Sequence, residues 1–483
     1  MEKKVNLSSN TVFNGIKSVF GIIYPLITFP YINRILGIEN VGKINFGSSI
    51  ISYFSLIASL GVTTYAVREC AKVRENKQEI EKVSSQIYSI SVISTFIAYV
   101  ALAITLIVAR PLDNYRLLIC IQSLTILFAT VGADWINAAM EDFKYIALRT
   151  VGMQVISLLL MFIFIRKQED YIVFAVICVI AASGANIINL FYRRRFCKIK
   201  FTFDMDLTRH LPSIILLFTT FISQTIYSNS DITILGLVKG DYDVGIYSVS
   251  VKIYTLVNTM IGGTITPVLS SRLSSLYGNN EKSAANDVLK YGINFITILA
   301  IPCVLGINIL SRNLVVIAGG EEYLEASTSL QILSASLVFS LLGGFCSNLI
   351  LIPIGKEKII FFSSLFAACC NIVLNLIFIP IWGVNAAATT TAISELVSLG
   401  ILFKYSKKEI HLDINFIMLL KPIISGLVMA IVCFIVAHYI NNLVLGGLIS
   451  TIIGSITYGI MLWILKDNFF ISFIKEIVGR KRQ

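Results

Sequence analysis

Apolar residues run along this chain in blocks of roughly 20, separated by short polar stretches, from residue 12 to residue 465. A helix needs about 20 such residues to cross the hydrocarbon of a bilayer, and core helices and strands of soluble domains use shorter runs. The pattern predicts spans near 12–32, 44–65, 86–108, 117–138, 146–165, 171–192, 213–235, 245–268, 290–310, 328–352, 359–380, 383–403, 422–440 and 443–464, about fourteen helices. Nothing between them is long enough to fold as a separate domain. The first block exceeds a signal-peptide core and no small-residue cleavage site follows it, so it is expected to be retained. The expected fold class is an all-α polytopic membrane protein.

The polar gaps carry a repeat. "RILGIENVGKI" at 34–44 joins spans one and two, and "TILGLVKGDYDVGIY" at 233–247 joins spans seven and eight. Each holds Ile-Leu-Gly, a short polar stretch and Val-Gly. Polar, helix-compatible segments follow at 64–83 and 266–288, each with a basic residue just past the membrane. The offset is close to 200 residues, and six spans fit inside it. Such a same-topology repeat relates two six-helix lobes by an axis along the membrane normal. The expected lobes are 1–205 and 206–410, with two extra helices and a basic tail in 411–483. Two similar lobes that rock against each other give alternating access, which points to transport.

Composition agrees: 56% of the 483 residues are hydrophobic and 14% charged, against about a quarter charged in soluble domains. The net charge of +11 is distributed by topology. Gaps on the side that holds Lys3 and Lys4 carry 29 of the 39 Lys and Arg residues, and the opposite gaps carry 8. Positive charge stays in the cytoplasm, so both termini are expected there. "YRRRFCKIK" at 192–200 reads as an anchor to anionic headgroups, not as a nucleic-acid contact. No cysteine falls in an outer gap and no pair has metal-site spacing, so neither a disulfide framework nor a metal is expected. Trp135, Trp382 and Trp463 sit near predicted helix ends, where indole rings favour the interface.

Two lobes that each open with a long helix and a Leu-Gly turn resemble the MOP superfamily, which includes multidrug exporters, lipid II flippases and polysaccharide repeat-unit flippases. "DWINAAMEDFKYIALRT" at 134–150 resembles the region of the fourth and fifth helices in the polysaccharide flippases (Wzx/RfbX type). "SNSDITILG" at 228–236 resembles their seventh helix. The stretch after the Trp departs from the family, which often has more amides and aromatics where this chain has "INAAM". The resemblance implies a bacterial inner membrane protein that moves undecaprenyl-pyrophosphate-linked oligosaccharide repeat units from the inner to the outer leaflet. It implies no cofactor. H+ or Na+ coupling and contacts with a polymerase or glycosyltransferases would fit the same pathway.

Such a cargo needs cations for its pyrophosphate and hydroxyls, amides and aromatic faces for its sugars. The candidate cleft residues are Lys17, Arg34, Asn45 and Tyr53 in the first lobe, and Gln224, Asn229, Lys252, Tyr254 and Asn258 in the second. Lysines inside a span are costly and face a cavity or a partner, or else snorkel to the interface. Asp134, Asp231 and Glu395 are candidates for ion coupling or gating; the alternatives are a solvated place near the inner interface for Asp134, a latch to a cation of the opposite lobe for Asp231 and a structural hydrogen bond within its lobe for Glu395. Glu141, Lys144 and Arg149 match the flippase pattern and are expected to tie the loop between spans four and five to its neighbours. Pro25 and Pro30 in span one suggest a helix that bends during the cycle.

Competing functions remain open on this reading: another MOP exporter, of drugs or lipid II, or a membrane enzyme or scaffold of envelope synthesis. Enzyme readings find little support. The longest outer gap is 311–327, the only histidines are His210, His411 and His438, and no phosphate-cradling GxxxxGK[ST] occurs.

Overall fold

The structure, a computed structural model, describes residues 7–279, 281–409 and 416–480; His411, Lys3 and Lys4 lie outside them. Among the described residues sixteen α-helices follow one another: α1 (Leu7–Ser59), α2 (Val62–Lys72), α3 (Lys77–Val108), α4 (Arg116–Gly132), α5 (Trp135–Ala139), α6 (Phe143–Phe164), α7 (Tyr171–Tyr192), α8 (Leu207–Val238), α9 (Asp241–Gly278), α10 (Lys282–Gly319), α11 (Ala326–Phe345), α12 (Glu357–Trp382), α13 (Val384–Glu409), α14 (Phe416–Tyr439), α15 (Leu443–Ile464) and α16 (Asn468–Arg480). Thirteen segments are long and apolar enough to cross a membrane among the described residues. The chain is a multi-pass membrane protein. The difference from fourteen lies in the first gap. Spans one and two share α1, whose helix breaks at Gly37 (φ 75°, ψ 171°) in place of a loop. At about 1.5 Å per residue, the rods on either side of the break are each long enough to cross the bilayer.

Two compact units form, Met1–Gly245 and Ile246–Gln483. In the first, α1 packs on α3, α4, α6 and α8, and α4 packs on α7. Between apolar helices in lipid, close van der Waals contact does the work that water does elsewhere. Small residues permit it: a Cβ on Gly184 of α7 would lie 2.3 Å from Met153 Cε on α6, and one on Gly132 of α4 would lie 2.6 Å from Asn186 Cβ on α7. The amphipathic α2 starts after a left-handed break at Leu60 and Gly61. It buries Val62, Tyr65, Ala66 and Cys70 against Ile80, Val83 and Ile87 of α3 and Ile136 of α5. The matching polar segment of the second repeat is no separate helix, because α9 continues through Pro267 to Gly278.

In the second unit α11 packs on α10 and α13, and α12 on α13. A π-helical turn at Cys346–Leu351 prolongs α11. The helices α14 and α15, outside the repeat, pair with each other and pack on α10. The Tyr458 hydroxyl on α15 donates to the Ile298 carbonyl on α10 at 2.9 Å. The short α16 presents Phe469 to Tyr291, ring centroids 5.0 Å apart.

The repeated turn is a reciprocal contact inside the first unit. A Cβ on Gly42 would lie 1.8 Å from the Asp241 carbonyl oxygen, and one on Gly245 would lie 2.2 Å from the Ile38 carbonyl oxygen. Gly42 and Gly245 are offset by 203 residues, as are Ile38 and Asp241. Gly37 and Gly240 share that offset and share left-handed backbone, with φ 75° and 97°, a region open to Gly at little cost. The sequence pairing of Gly37 with Gly236 is therefore one helical turn out. Gly236 sits inside α8, where a Cβ would meet the Phe46 ring at 2.3 Å.

Candidate functional site

Polar side chains of the first unit converge on one cavity of about 840 Å³, within the range of roughly 300–1,000 Å³ that encloses small ligands. The second rod of α1 supplies Ser48, Ser52, Ser55 and Ser59, spaced four, three and four residues apart so that they form one stripe. From α8 come Gln224, Thr225, Ser228 and Asn229, again one helix face. Gln122, Thr125 and Thr130 of α4, Ser183 and Asn186 of α7, Thr63 of α2, Ser91 of α3 and Trp135 of α5 complete the polar and aromatic part of the wall. Among the described residues, none in the lining is Asp, Glu, Lys, Arg or His.

Local hydrogen bonds hold this wall. The Gln122 amide, 5% exposed, donates to the Ile44 carbonyl and to Ser48 Oγ, each at 3.0 Å. It fits there because residue 47 is glycine: a Cβ would lie 2.5 Å from Gln122 Oε1. Thr233 of α8 donates to Ser49 Oγ at 3.0 Å and lies 3.1 Å from the Tyr53 hydroxyl, which clamps α8 to α1. Several hydroxyls turn back on their own helices, as Ser52 does on the Ser49 carbonyl at 2.6 Å and Thr125 on the Gln122 carbonyl at 2.7 Å. This is how Ser and Thr are carried inside a span.

The sequence-selected residues are dispersed. Gln224 and Asn229 lie in the cavity wall. Tyr53 lies between the lining residues Ser52 and Ser55 in sequence, and its hydroxyl is 3.1 Å from Thr233 Oγ1. Asn45 is half-buried and donates to the Val41 carbonyl of its own helix at 2.9 Å. Lys17 and Arg34 are exposed, on α1; Arg34 donates to the Pro30 carbonyl at 2.9 Å. Asp231 is buried on α8. Lys252, Tyr254, Asn258 and Glu395 are half-buried in the second unit, where Asn258 donates to Ser340 Oγ at 3.2 Å.

Asp134 is paired with Arg149, whose side chain is 4% exposed. Arg149 also donates to the Ala185 carbonyl at 2.9 Å. Asn137 donates to Asp134 at 3.0 Å and to Asn189 Oδ1 at 2.6 Å, and Asn189 donates to the Gly132 carbonyl at 2.9 Å. These bonds tie α4, α5, α6 and α7 together through "DWINAAMEDFKYIALRT". Glu141 pairs with Arg74 at 2.7 Å, and Lys144 lies 5.6 Å from the Phe13 ring centroid. The loop between spans four and five is thus bound to its neighbours.

Trp135 corrects the interfacial reading. It is 6% exposed and lines the cavity, whereas Trp382 and Trp463 are 59% and 58% exposed. The sequence reading also missed Gln122, Thr125, Thr130, Ser183 and Asn186. The available signal was the pair of amides inside the apolar runs of spans four and six, since such groups require partners or a cavity.

Residues 7–274 match the family described as "Polysaccharide biosynthesis protein", and residues 217–377 match the MatE family. A protein of Shigella dysenteriae named as an O-antigen transporter is 24% identical over 353 residues, 70% of this chain and 84% of the relative. The capsular polysaccharide biosynthesis protein CapF of Staphylococcus aureus is 26% identical over 379 residues, 77% and 91% of the two chains. Among solved structures, the lipid II flippase MurJ in an inward closed conformation superposes with a TM-score of 0.76 at 17% identity, covering 95% of this chain and 99% of that one. An inward-facing MATE transporter of the MOP superfamily gives 0.61 at 15% identity, covering 81% and 94%.

Proposed function

We propose that this chain, which belongs to the polysaccharide biosynthesis protein family, carries a lipid-linked oligosaccharide across a bacterial inner membrane, from the cytoplasmic leaflet to the outer one. The observation that carries the reading is the cavity in the first unit, walled by hydroxyls, amides and one indole at membrane depth. Sugar hydroxyls cannot cross hydrocarbon without replacements for their water hydrogen bonds, and this wall offers both donors and acceptors. The lipid tail needs none and stays among acyl chains. The names of the relatives, O-antigen transporter and capsular polysaccharide protein, support the same cargo class, and support a transporter over an enzyme.

On this reading the lipid carrier is an undecaprenyl pyrophosphate, and Lys17 and Arg34 in the first unit and Lys252 in the second are each a candidate contact for its charge. Asp231, Glu395 and Asp134 are the acids through which H+ or Na+ would bias the cycle, with Asp134 acting through Arg149. Both termini are cytoplasmic on this reading, which the distribution of Lys and Arg supports. A second reading, export of cationic drugs, is disfavoured because the described lining residues include no carboxylate.

The test is depletion of the protein in its own host. Lipid-linked oligosaccharide accumulates on the cytoplasmic leaflet, out of reach of an impermeant lectin or periodate, and Lys252→Ala reproduces the accumulation. An unchanged leaflet distribution after depletion removes the proposal.

A further inference from the structure

We infer that the glycan this cavity accepts is uncharged: repeat units of neutral hexoses, deoxyhexoses or N-acetylated amino sugars, not units bearing uronate, sialate, sulfate or phosphate groups. The inference rests on the flippase reading and adds the class of cargo.

The wall carries it. Among the described residues, no charged side chain lines the cavity. Polar side chains there, Ser55, Asn186, Gln224 and Ser228 among them, have no hydrogen-bond partner within the protein among the described residues. Hydroxyl and amide groups donate and accept alike, which suits a sugar hydroxyl or an acetamido group. Trp135 adds a flat apolar face. One cation beside this wall is Arg149, bonded to the carbonyl of Ala185, which adjoins the lining residue Asn186. That guanidinium is already neutralised by Asp134. A carboxylate drawn into this wall would lose its hydration and find no cation among the described lining residues in exchange, a cost that buried anions escape only when paired. A neutral sugar exchanges water hydrogen bonds for those of the wall and bears no such cost.

The test uses the full chain in a panel of bacterial strains that lack their own repeat-unit flippase. Half of the panel assembles neutral units and half acidic units on the same polyprenyl pyrophosphate. The expected result is restored surface polymer in the neutral strains and at least about tenfold less in the acidic ones. Gln224→Lys, with its membrane abundance checked, then admits the acidic units, a gain that misfolding cannot imitate. Equal restoration in both halves overturns the charge inference and leaves the flippase reading in place. Failure of Gln224→Lys to admit acidic units, at normal abundance, also counts against it. Failure in every strain, with the protein present and folded, overturns the flippase reading itself.

Discussion

Replacing Gly42 by alanine adds one methyl group where two backbones meet. The added Cβ would sit 1.8 Å from the Asp241 carbonyl oxygen and 2.7 Å from its carbon. An ordinary carbon–oxygen contact is about 3.3 Å, so the two segments must part by about 1.5 Å. Neither can yield by rotating a side chain, because both are backbone. The same crossing carries the bond from the Tyr115 hydroxyl to Asp241 Oδ1 at 2.6 Å, which parting would stretch. Overpacking of a tight interface costs about 1–3 kcal/mol, and rigid partners on both sides put Gly42→Ala at about 3 kcal/mol. Gly245→Ala, with its Cβ 2.2 Å from the Ile38 carbonyl oxygen, belongs in the same range. The double variant costs less than the sum, since one parting serves both. Gly15 and Gly21 of α1 have nothing within 4 Å of an added Cβ and serve as controls. The assay is thermal unfolding of purified protein in lipid nanodiscs, alongside folded abundance in membranes. Parent-like unfolding of Gly42→Ala, with normal surface polymer, would refute the reciprocal crossing.

Asp134→Asn leaves Arg149 buried without its counter-charge. Breaking such pairs costs about 3–5 kcal/mol when both partners are buried; Asp134 is 42% exposed, which lowers the expectation to about 2 kcal/mol. Asp134→Leu with Arg149→Met recovers most of the lost abundance, and a double variant as unstable as the single one would contradict the pairing. Pro25→Ala is expected to slow transport without reducing folded protein, because it restores a hydrogen bond to a helix that must bend; lower abundance would make Pro25 structural only. Cys197 is 1% exposed, and burial holds its thiol above the ordinary range. Less of it is thiolate at neutral pH, so an impermeant maleimide labels it far more slowly than an exposed thiol until the protein is unfolded. Rapid labelling of native Cys197 would contradict its placement.

The crossing helices were legible because bilayer thickness imposes a length on apolar runs, and composition reports that length directly. The break at Gly37 was not, because a left-handed glycine that turns a chain and one that kinks a helix look alike in sequence. The repeat was visible through Val-Gly, yet its register was one turn out. Gly236 shares the Ile-Leu-Gly letters, while the backbone conformation belongs to Gly240. Half of the cavity could be read from the hydroxyl stripe of α1 and the polar face of α8. Gln122 and Asn186 were hidden by the apolar runs around them. Trp135 sits near a predicted helix end, and only packing decides whether such an indole faces lipid or protein. Intramembrane charge drew attention to Lys17, which the fold leaves exposed on α1.

The compact first unit closes at Gly245, well beyond the sixth crossing. It borrows α8 for one wall of its cavity and the start of α9 for the glycine contact. During synthesis, the earlier helices therefore enter the bilayer with a polar flank still uncovered. They must wait, wet or shielded by the insertion machinery, until the seventh helix is delivered from the ribosome. A half-length product ending before that helix would be a poor miniature of the carrier, and quality-control proteases would meet its uncovered polar flank first.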